Sequence, residues 1–315
     1  MKRIFIAFCM MLVTSMVFAW EPTKPINIYV GFLPGSGDDT LIRPIAAVIE
    51  KQNPGVSFVI QNKAGASGVI ALNAFVSKPN DGYHLMVIGR NAFTVAPIVY
   101  KDAVNYKESD FDKILTLGAT PNILIVNAES PLNNIDDLIN TIKKSPEPTL
   151  AASSSAYTEG ILKIMLNTAG LSSDKMTIVN YKGNGDGMIA IAQKDVMFTA
   201  SNLAVALPLI DAGKIKPIAI FSDTKLKDFP STPLAKINNA PLVFYSSWGI
   251  GLPKDTPKEI NTWFREKFIK ALQSEEIKSF FVSRDLNLRQ NELTEAGYTK
   301  GVAADREKFE KALLK

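Results

Sequence analysis

The stretch "GFLPGSGDDTLIRP", residues 31–44, joins a β-branched and aromatic run to an amphipathic one through a turn that holds Gly35 and Gly37. Upstream, "INIYVGF" (26–32) reads as a strand. Downstream, "TLIRPIAAVIEKQ" (40–52) places apolar residues at helical spacing, although Pro44 falls near its start. The order strand, glycine turn, helix then repeats: "VSFVIQN" (56–62), "KAGASG" (63–68) and "VIALNAFVSK" (69–78) form a second unit, and "GYHLMVIG" (82–89) supplies a third strand. Alternation of this kind predicts a parallel sheet covered by helices.

The same grammar returns after residue 121. Strands are expected at "NILIVN", "PTLAAS", "MTIVNY" and "DVMFTAS", helices at "IDDLINTIKK", "GILKIMLNTAG" and "GDGMIAIAQ", and a further strand at "IKPIAIFS" (215–222). A Pro- and Asn-rich passage, 228–244, precedes "SSWGIGLP" and a helical C-terminal third. The fold class is therefore α/β in two lobes, each a mostly parallel sheet flanked by helices. The first lobe takes residues 20–121 and 240–315, and the second, 122–239, is inserted into it.

The N-terminal "MKRIFIAFCMMLVTSMVFAW" has Lys2 and Arg3, a short apolar stretch and small residues near Ala19, the pattern of a secretory leader over residues 1–19. Its removal takes away Cys9, the one cysteine of the chain, so disulfides do not staple this fold. Without Lys2 and Arg3 the balance is 33 basic to 31 acidic side chains, spread without blocks, which predicts no nucleic-acid partner. The remaining length, about 295 residues, suffices for two ordinary cores.

Parallel sheets bind ligands at the carboxyl ends of their strands, where helix starts converge. Amides there have no intrahelical partner and the helix dipole is locally positive, so a small anion is favoured without a cationic side chain. The sequence narrows the anion. A Walker phosphate loop needs Lys and Ser or Thr after its last glycine, whereas "GSGDDT" offers two acids, and neither "PGSGDD" nor "AGASG" spells the dinucleotide fingerprint. A carboxylate fits better. The competing account is that Gly35, Gly37, Gly65 and Gly68 only permit tight turns.

"PGSGDDTLIR", "VIQNKAGASG", "KPNDGYHLMV", "VNYKGNGDGM", "DVMF" and "SSWGIGLP" occur in that order over nearly the whole chain after the leader. The ordered set resembles the substrate-binding proteins of tripartite tricarboxylate transporters, the Bug receptor family. That resemblance implies a two-lobed periplasmic-binding-protein fold, type II-like, with a ligand cleft between the lobes. It also implies a monomeric periplasmic receptor that hands a small carboxylated solute to a membrane permease, with no cofactor. Carried over residue by residue, the first loop gives Phe32, Pro34, Gly35 and Ser36, with Asp39 after it, and the second gives Gly65, Ala66, Ser67 and Gly68. Asp39 either contacts ligand or caps its helix. The facing lobe contributes Ser153, Ser154, Ser155 and Tyr157 in "ASSSAYTEG", Tyr181 with Lys182 and Gly183, and Thr199. The serines either offer hydroxyls to a ligand or form a capping run.

Three departures from the family pattern stand out. Ser36 replaces a second adjacent glycine, Gly160 stands where a histidine is usual, and Arg90 closes the third strand in place of a small hydroxyl residue. Arg90, followed by Asn91, either pairs with a second carboxylate or extends along the lobe rim into solvent. Trp248 is expected to pack at the crossing back into the first lobe.

Other functions have weaker sequence support. A serine hydrolase needs a base, and the single histidine, His84, lies inside an apolar strand with no G-x-S-x-G elbow anywhere. One histidine cannot build the usual zinc set. A sensor that passes its closed form to a signalling partner would use the same cleft.

Overall fold

A computed structural model describes residues 20–287 and 295–314; the leader expected over residues 1–19, with Cys9, lies outside the described residues. Strand β1 (Ile26–Val30) buries Ile26, Ile28 and Val30 and runs parallel to β2 (Phe58–Asn62) on one side. On its other side lies β3 (His84–Gly89), also parallel. Helices α1 (Gly37–Gln52) and α2 (Val69–Phe75) make the two crossovers. Because α1 carries the chain outward from β1 to β2 and α2 carries it back past β1 to β3, the crevice of the first sheet opens at the carboxyl ends of β1 and β3. Two short helices, α3 (Asn91–Thr94) and α4 (Ala96–Val99), follow β3.

Strand β4 (Phe111–Asn127) is 17 residues long and belongs to both sheets. Its first part, through Pro121, pairs antiparallel with β11 (Tyr245–Pro253), which also pairs antiparallel with β3. From Asn122 onward it lies between β7 (Phe198–Asn202) and β8 (Ile215–Phe221), antiparallel to both. Beyond β7 come β5 (Thr149–Ser153) and β6 (Met176–Asn180), all three parallel. A separate two-stranded ribbon, β9 (Lys236–Ile237) with β10 (Ala240–Pro241), occupies the Pro- and Asn-rich passage.

Helices cover both faces of each sheet. In the first lobe Ile42, Ile45 and Ile49 of α1 pack with Phe264 and Phe268 of α9 (Lys258–Leu272), beside α10 (Glu275–Val282). The opposite face holds Phe75, Phe93 and Tyr298, the last from α11 (Glu295–Leu313). The second lobe buries Leu138 of α5 (Ile135–Lys144) and Ile161 and Met165 of α6 (Ala156–Thr168) on one side. On the other it buries Met188 and Ile191 of α7 (Asn184–Gln193) and Leu203 of α8 (Leu203–Asp211).

Helix α11 crosses from one core to the other. Tyr298 and Val302 sit in the first, whereas Phe309 is fully buried in the second. Gly160 of α6 makes room for it: a Cβ there would stand 2.7 Å from the Phe309 ring. The glycine that departs from the family pattern is thus a seat for a C-terminal aromatic. Replacing Phe309 by Ala should remove about 3–5 kcal/mol of stability, read as a lower midpoint in urea unfolding.

Candidate functional site

A cavity of about 250 Å³ lies between the lobes, with the crossing strands as its floor. The first lobe lines it with Phe32 to Asp38 after β1, and with Arg90 and Asn91 after β3. The second contributes Ser154, Ser155, Tyr157 and Thr158, then Lys182 to Asp186, and Asn202. Asn122 of β4 and Tyr245 to Trp248 of β11 close the bottom.

Besides the one-turn α3 at Asn91, four helices, α1, α6, α7 and α8, begin at this cavity. Three of their starts are satisfied from within in part. Ser36 Oγ accepts from Asp39 N at 3.4 Å, and the Asp39 carboxylate accepts from Gly35 N at 3.0 Å, leaving the Gly37 N–H of α1 without a partner among the described residues. Ser155 Oγ caps α6 by accepting from Thr158 N at 3.2 Å, and Ala156 N donates to Ser67 Oγ of the facing lobe at 3.0 Å. Asn202 caps α8 through Val205 N at 3.1 Å. Helix α7 is different: Gly183 is its cap residue and no side chain closes it, so the amides of Asn184, Gly185 and Asp186 stay open at the cavity wall. The open donors therefore come from both lobes, Gly37 on one side and 184–186 on the other, which is where an anion gains from the helix dipole.

Of the residues singled out in the sequence, Phe32, Pro34, Gly35, Ser36, Arg90, Asn91, Ser154, Ser155 and Tyr157 line the cavity. The others have neighbours elsewhere. Asp39 holds Arg43 through bonds of 2.9 and 2.7 Å and accepts from Asn62 Nδ2 at 3.0 Å. Burial pushes its pKa up, but the hydrogen bonds from Arg43, Gly35 and Asn62 outweigh this and hold it below the usual value. Gly65, Ala66, Ser67 and Gly68 lie behind the wall, because β2 is the edge strand and its loop reaches the crevice only from the far side of Gly31. The two loops touch there: a Cβ on Gly31 would stand 2.9 Å from Gly68 Cα. Ala66 and Ser67 adopt left-handed φ values of 45° and 54°, a conformation costing roughly 1 kcal/mol per residue, and Ser67 Oγ is thereby presented to α6.

In the second lobe, Ser153 Oγ donates to Ser155 O at 2.9 Å and Thr199 Oγ1 to Ala152 O at 2.8 Å, so both are spent inside the sheet. Tyr181 packs against Gly187, and its neighbours Lys182 and Gly183 form the wall. The sequence reading passed over Gly37, Asp38, Asn122, 184–186, Asn202 and 245–247. One signal was present: Asn202 directly before an apolar helical run is an N-cap at a strand's carboxyl end.

Arg90 is 3% exposed, which rules out a solvent-reaching rim position. Its guanidinium donates to Asp305 of α11 at 3.0 Å and to Ser247 Oγ at 3.4 Å, and lies against Gly301. Asp38, 6% exposed, accepts from Trp248 Nε1 at 3.0 Å, and burial pushes its carboxyl up to about 7. Trp248 itself is buried against Gly37, where a Cβ would stand 2.5 Å from the indole ring. It therefore packs the core and walls the cavity at once. His84 sits at the start of β3, at the opposite strand end from the cleft, with Nδ1 3.2 Å from Tyr29 Oη. Among the described residues no group of His, Cys, Asp and Glu side chains is placed to hold a metal ion.

Comparison with known proteins gives a consistent picture. The chain is 26% identical to Protein BugT of Bordetella pertussis over 265 residues, covering 84% of this chain and 81% of that one. An R. palustris protein solved with adipate superposes with a TM-score of 0.81 at 25% identity, over 92% of this chain and 96% of the other. MatC from Rhodopseudomonas palustris with bound malate superposes with a TM-score of 0.83 at 19% identity, over 93% and 99%. The fold is the two-lobed one of periplasmic binding proteins. The family described as "Tripartite tricarboxylate transporter family receptor" matches residues 41–315. This chain belongs to that family, a family of solute receptors rather than of enzymes.

Proposed function

We propose that this chain is an extracytoplasmic receptor that closes on a small carboxylated solute in the interlobe cleft and delivers it to the membrane subunits of a tripartite transporter. The observation that carries this reading is the convergence of uncapped helix amides from both lobes, Gly37 against 184–186, on one cavity. A carboxylate spanning them is satisfied only when the lobes are together, and that differential contact favours closure. Micromolar affinity corresponds to about 8 kcal/mol, within reach of a few charge-assisted hydrogen bonds in a dehydrated cleft.

Relatives solved with adipate and malate support the ligand class. The moving bodies are residues 20–121 with 240–315, and residues 122–239, turning about β4 and the segment before β11. The working place is the periplasm, reached by a leader over residues 1–19, and the working unit is a monomer. Among the described residues no helix is long and apolar enough to cross a membrane. The ligand contacts are Phe32, Pro34, Gly35, Ser36, Asn91, Ser154, Ser155 and Tyr157, with Gly37 and 184–186 as the anion donors. Ser67 acts indirectly, by bridging to α6. Asp39 shapes the first loop.

Thermal-shift screening of mono-, di- and tricarboxylates should find at least one that stabilises the protein by about 2.7 kcal/mol at a hundredfold excess over Kd. Stabilisation by neutral sugars and by no carboxylate would sink the reading. For Arg90, the bond to Asp305 predicts a scaffold effect. Arg90→Ala leaves a largely buried carboxylate without its guanidinium, so urea unfolding should show a loss of about 3 kcal/mol. Affinities for mono- and dicarboxylates should fall together; a loss confined to dicarboxylates would place the guanidinium on the ligand.

A further inference from the structure

Beside the open amides, the same cavity wall carries a patch of acceptors. The Asp38 carboxylate receives Trp248 Nε1 at 3.0 Å and its own backbone N–H, so in this arrangement it accepts and does not donate. Asn91 Nδ2 donates to Ser67 O at 3.3 Å, which fixes the amide with its oxygen as the remaining group. Asn91 Oδ1 and Asp38 Oδ1 both lie within 4 Å of the point where a Cβ on Gly89 would stand. Both residues also border a recess of about 10 Å³ behind the main cavity, the size of a single water or ammonium group.

The nearest cations do not answer this patch. Arg90 is held by Asp305, and Arg43 by Asp39 on the far side of the first loop. Lys182 and Asp186 stand across the cleft on the second lobe. A second carboxylate placed at Asp38 would meet like charge in a poorly hydrated site, whereas an N–H bearing cation would satisfy a carboxylate and an amide oxygen together. Gly37 and Asp38 are consecutive residues, so an anion on the first and a cation on the second must be close together in the ligand.

We infer that the solute is a zwitterion, an amino acid whose cationic nitrogen is bound by Asp38 and Asn91 Oδ1 while its carboxylate takes the helix-start amides. This rests on the carboxylate-receptor reading and narrows it. Asp38 is then the specificity-determining residue of the cleft.

The sign of the pH dependence separates this ligand class from a plain acid. Only ionised Asp38 binds an ammonium, and its carboxyl titrates at about 7 in the empty cleft. Affinity for an amino acid should therefore be about tenfold weaker at pH 6 than at pH 8, while a nitrogen-free acid should bind more tightly at pH 6. Isothermal titration of the purified protein with the standard amino acids and with acids of the same carbon skeleton lacking nitrogen, such as succinate and glutarate, reads both.

The expected result is an amino acid binding at least about tenfold tighter than its nitrogen-free counterpart, with the loss at low pH. Asp38→Asn keeps an oxygen for Trp248 Nε1. It should erase that preference and the pH dependence and, by removing the like charge, raise affinity for the nitrogen-free acid at pH 8. Nitrogen-free acids that bind as well as any amino acid, and better at pH 6, would overturn the zwitterion and leave the carboxylate receptor standing. No binding by either class would overturn both. The pH comparison on the unaltered protein decides the matter even if the variant is unstable.

Discussion

Strand β4 is the constraint on which the rest is arranged. Its 17 residues are hydrogen-bonded on to the second sheet as they leave the first, so the passage between lobes is itself sheet. Where the chain crosses between the sheets, the segment leading into the return strand is tied to it through Asn122. Asn122 N donates to Phe244 O at 2.9 Å, its side-chain amide reaches the same carbonyl at 3.2 Å, and Ser246 Oγ donates to Asn122 Oδ1 at 3.3 Å. The cavity floor is built from this crossing, and both lobes present their helix starts to it. Fold and site are one arrangement.

Recognition by peptide amides in place of cationic side chains has a cost that the structure meets locally. Helix starts opening on a cleft leave donors unsatisfied when no ligand is present. Three of the four are partly capped by Ser36, Ser155 and Asn202, and α7 is left open. The one buried arginine at the site is neutralised by a helix from the C-terminal third. On the first-lobe wall, what remains facing the cavity is weakly positive at Gly37 and acidic at Asp38, with Lys182 and Asp186 across the cleft.

Much of the architecture was legible in the sequence because buried parallel strands are short apolar runs and their crossovers carry helical periodicity. The first part of β4 was not, since Gly118 and Pro121 interrupt it and its pairing partner lies more than a hundred residues away. The site was half legible for a geometric reason. Which loop meets the cleft depends on strand order: with β2 at the edge, Gly65–Gly68 falls behind Gly31, although its sequence looks like the first loop's equal. Small offsets mattered as well. Tyr181, one residue past β6, packs against Gly187 while its neighbour Lys182 reaches the cavity, and Thr199 lies three residues before Asn202, on the opposite face of β7. Asp39, not Asp38, is the acid that the family resemblance carries over, and its bonds turn out to be internal.

Helix α11 is anchored unequally at its two ends. Toward the first lobe it is held by directional bonds, Arg90 to Asp305 at 3.0 Å and Arg306 to the Phe93 carbonyl at 2.9 and 2.6 Å. Toward the second it rests on Phe309 against Gly160, and one bond, from Asn167 Nδ2 of α6 to the Ala312 carbonyl at 3.2 Å, ties its last turn. A helix bonded to one core and buried in the other has to bend, slide or let go at one end if the two cores turn relative to one another, so α11 works as a brace against that turn.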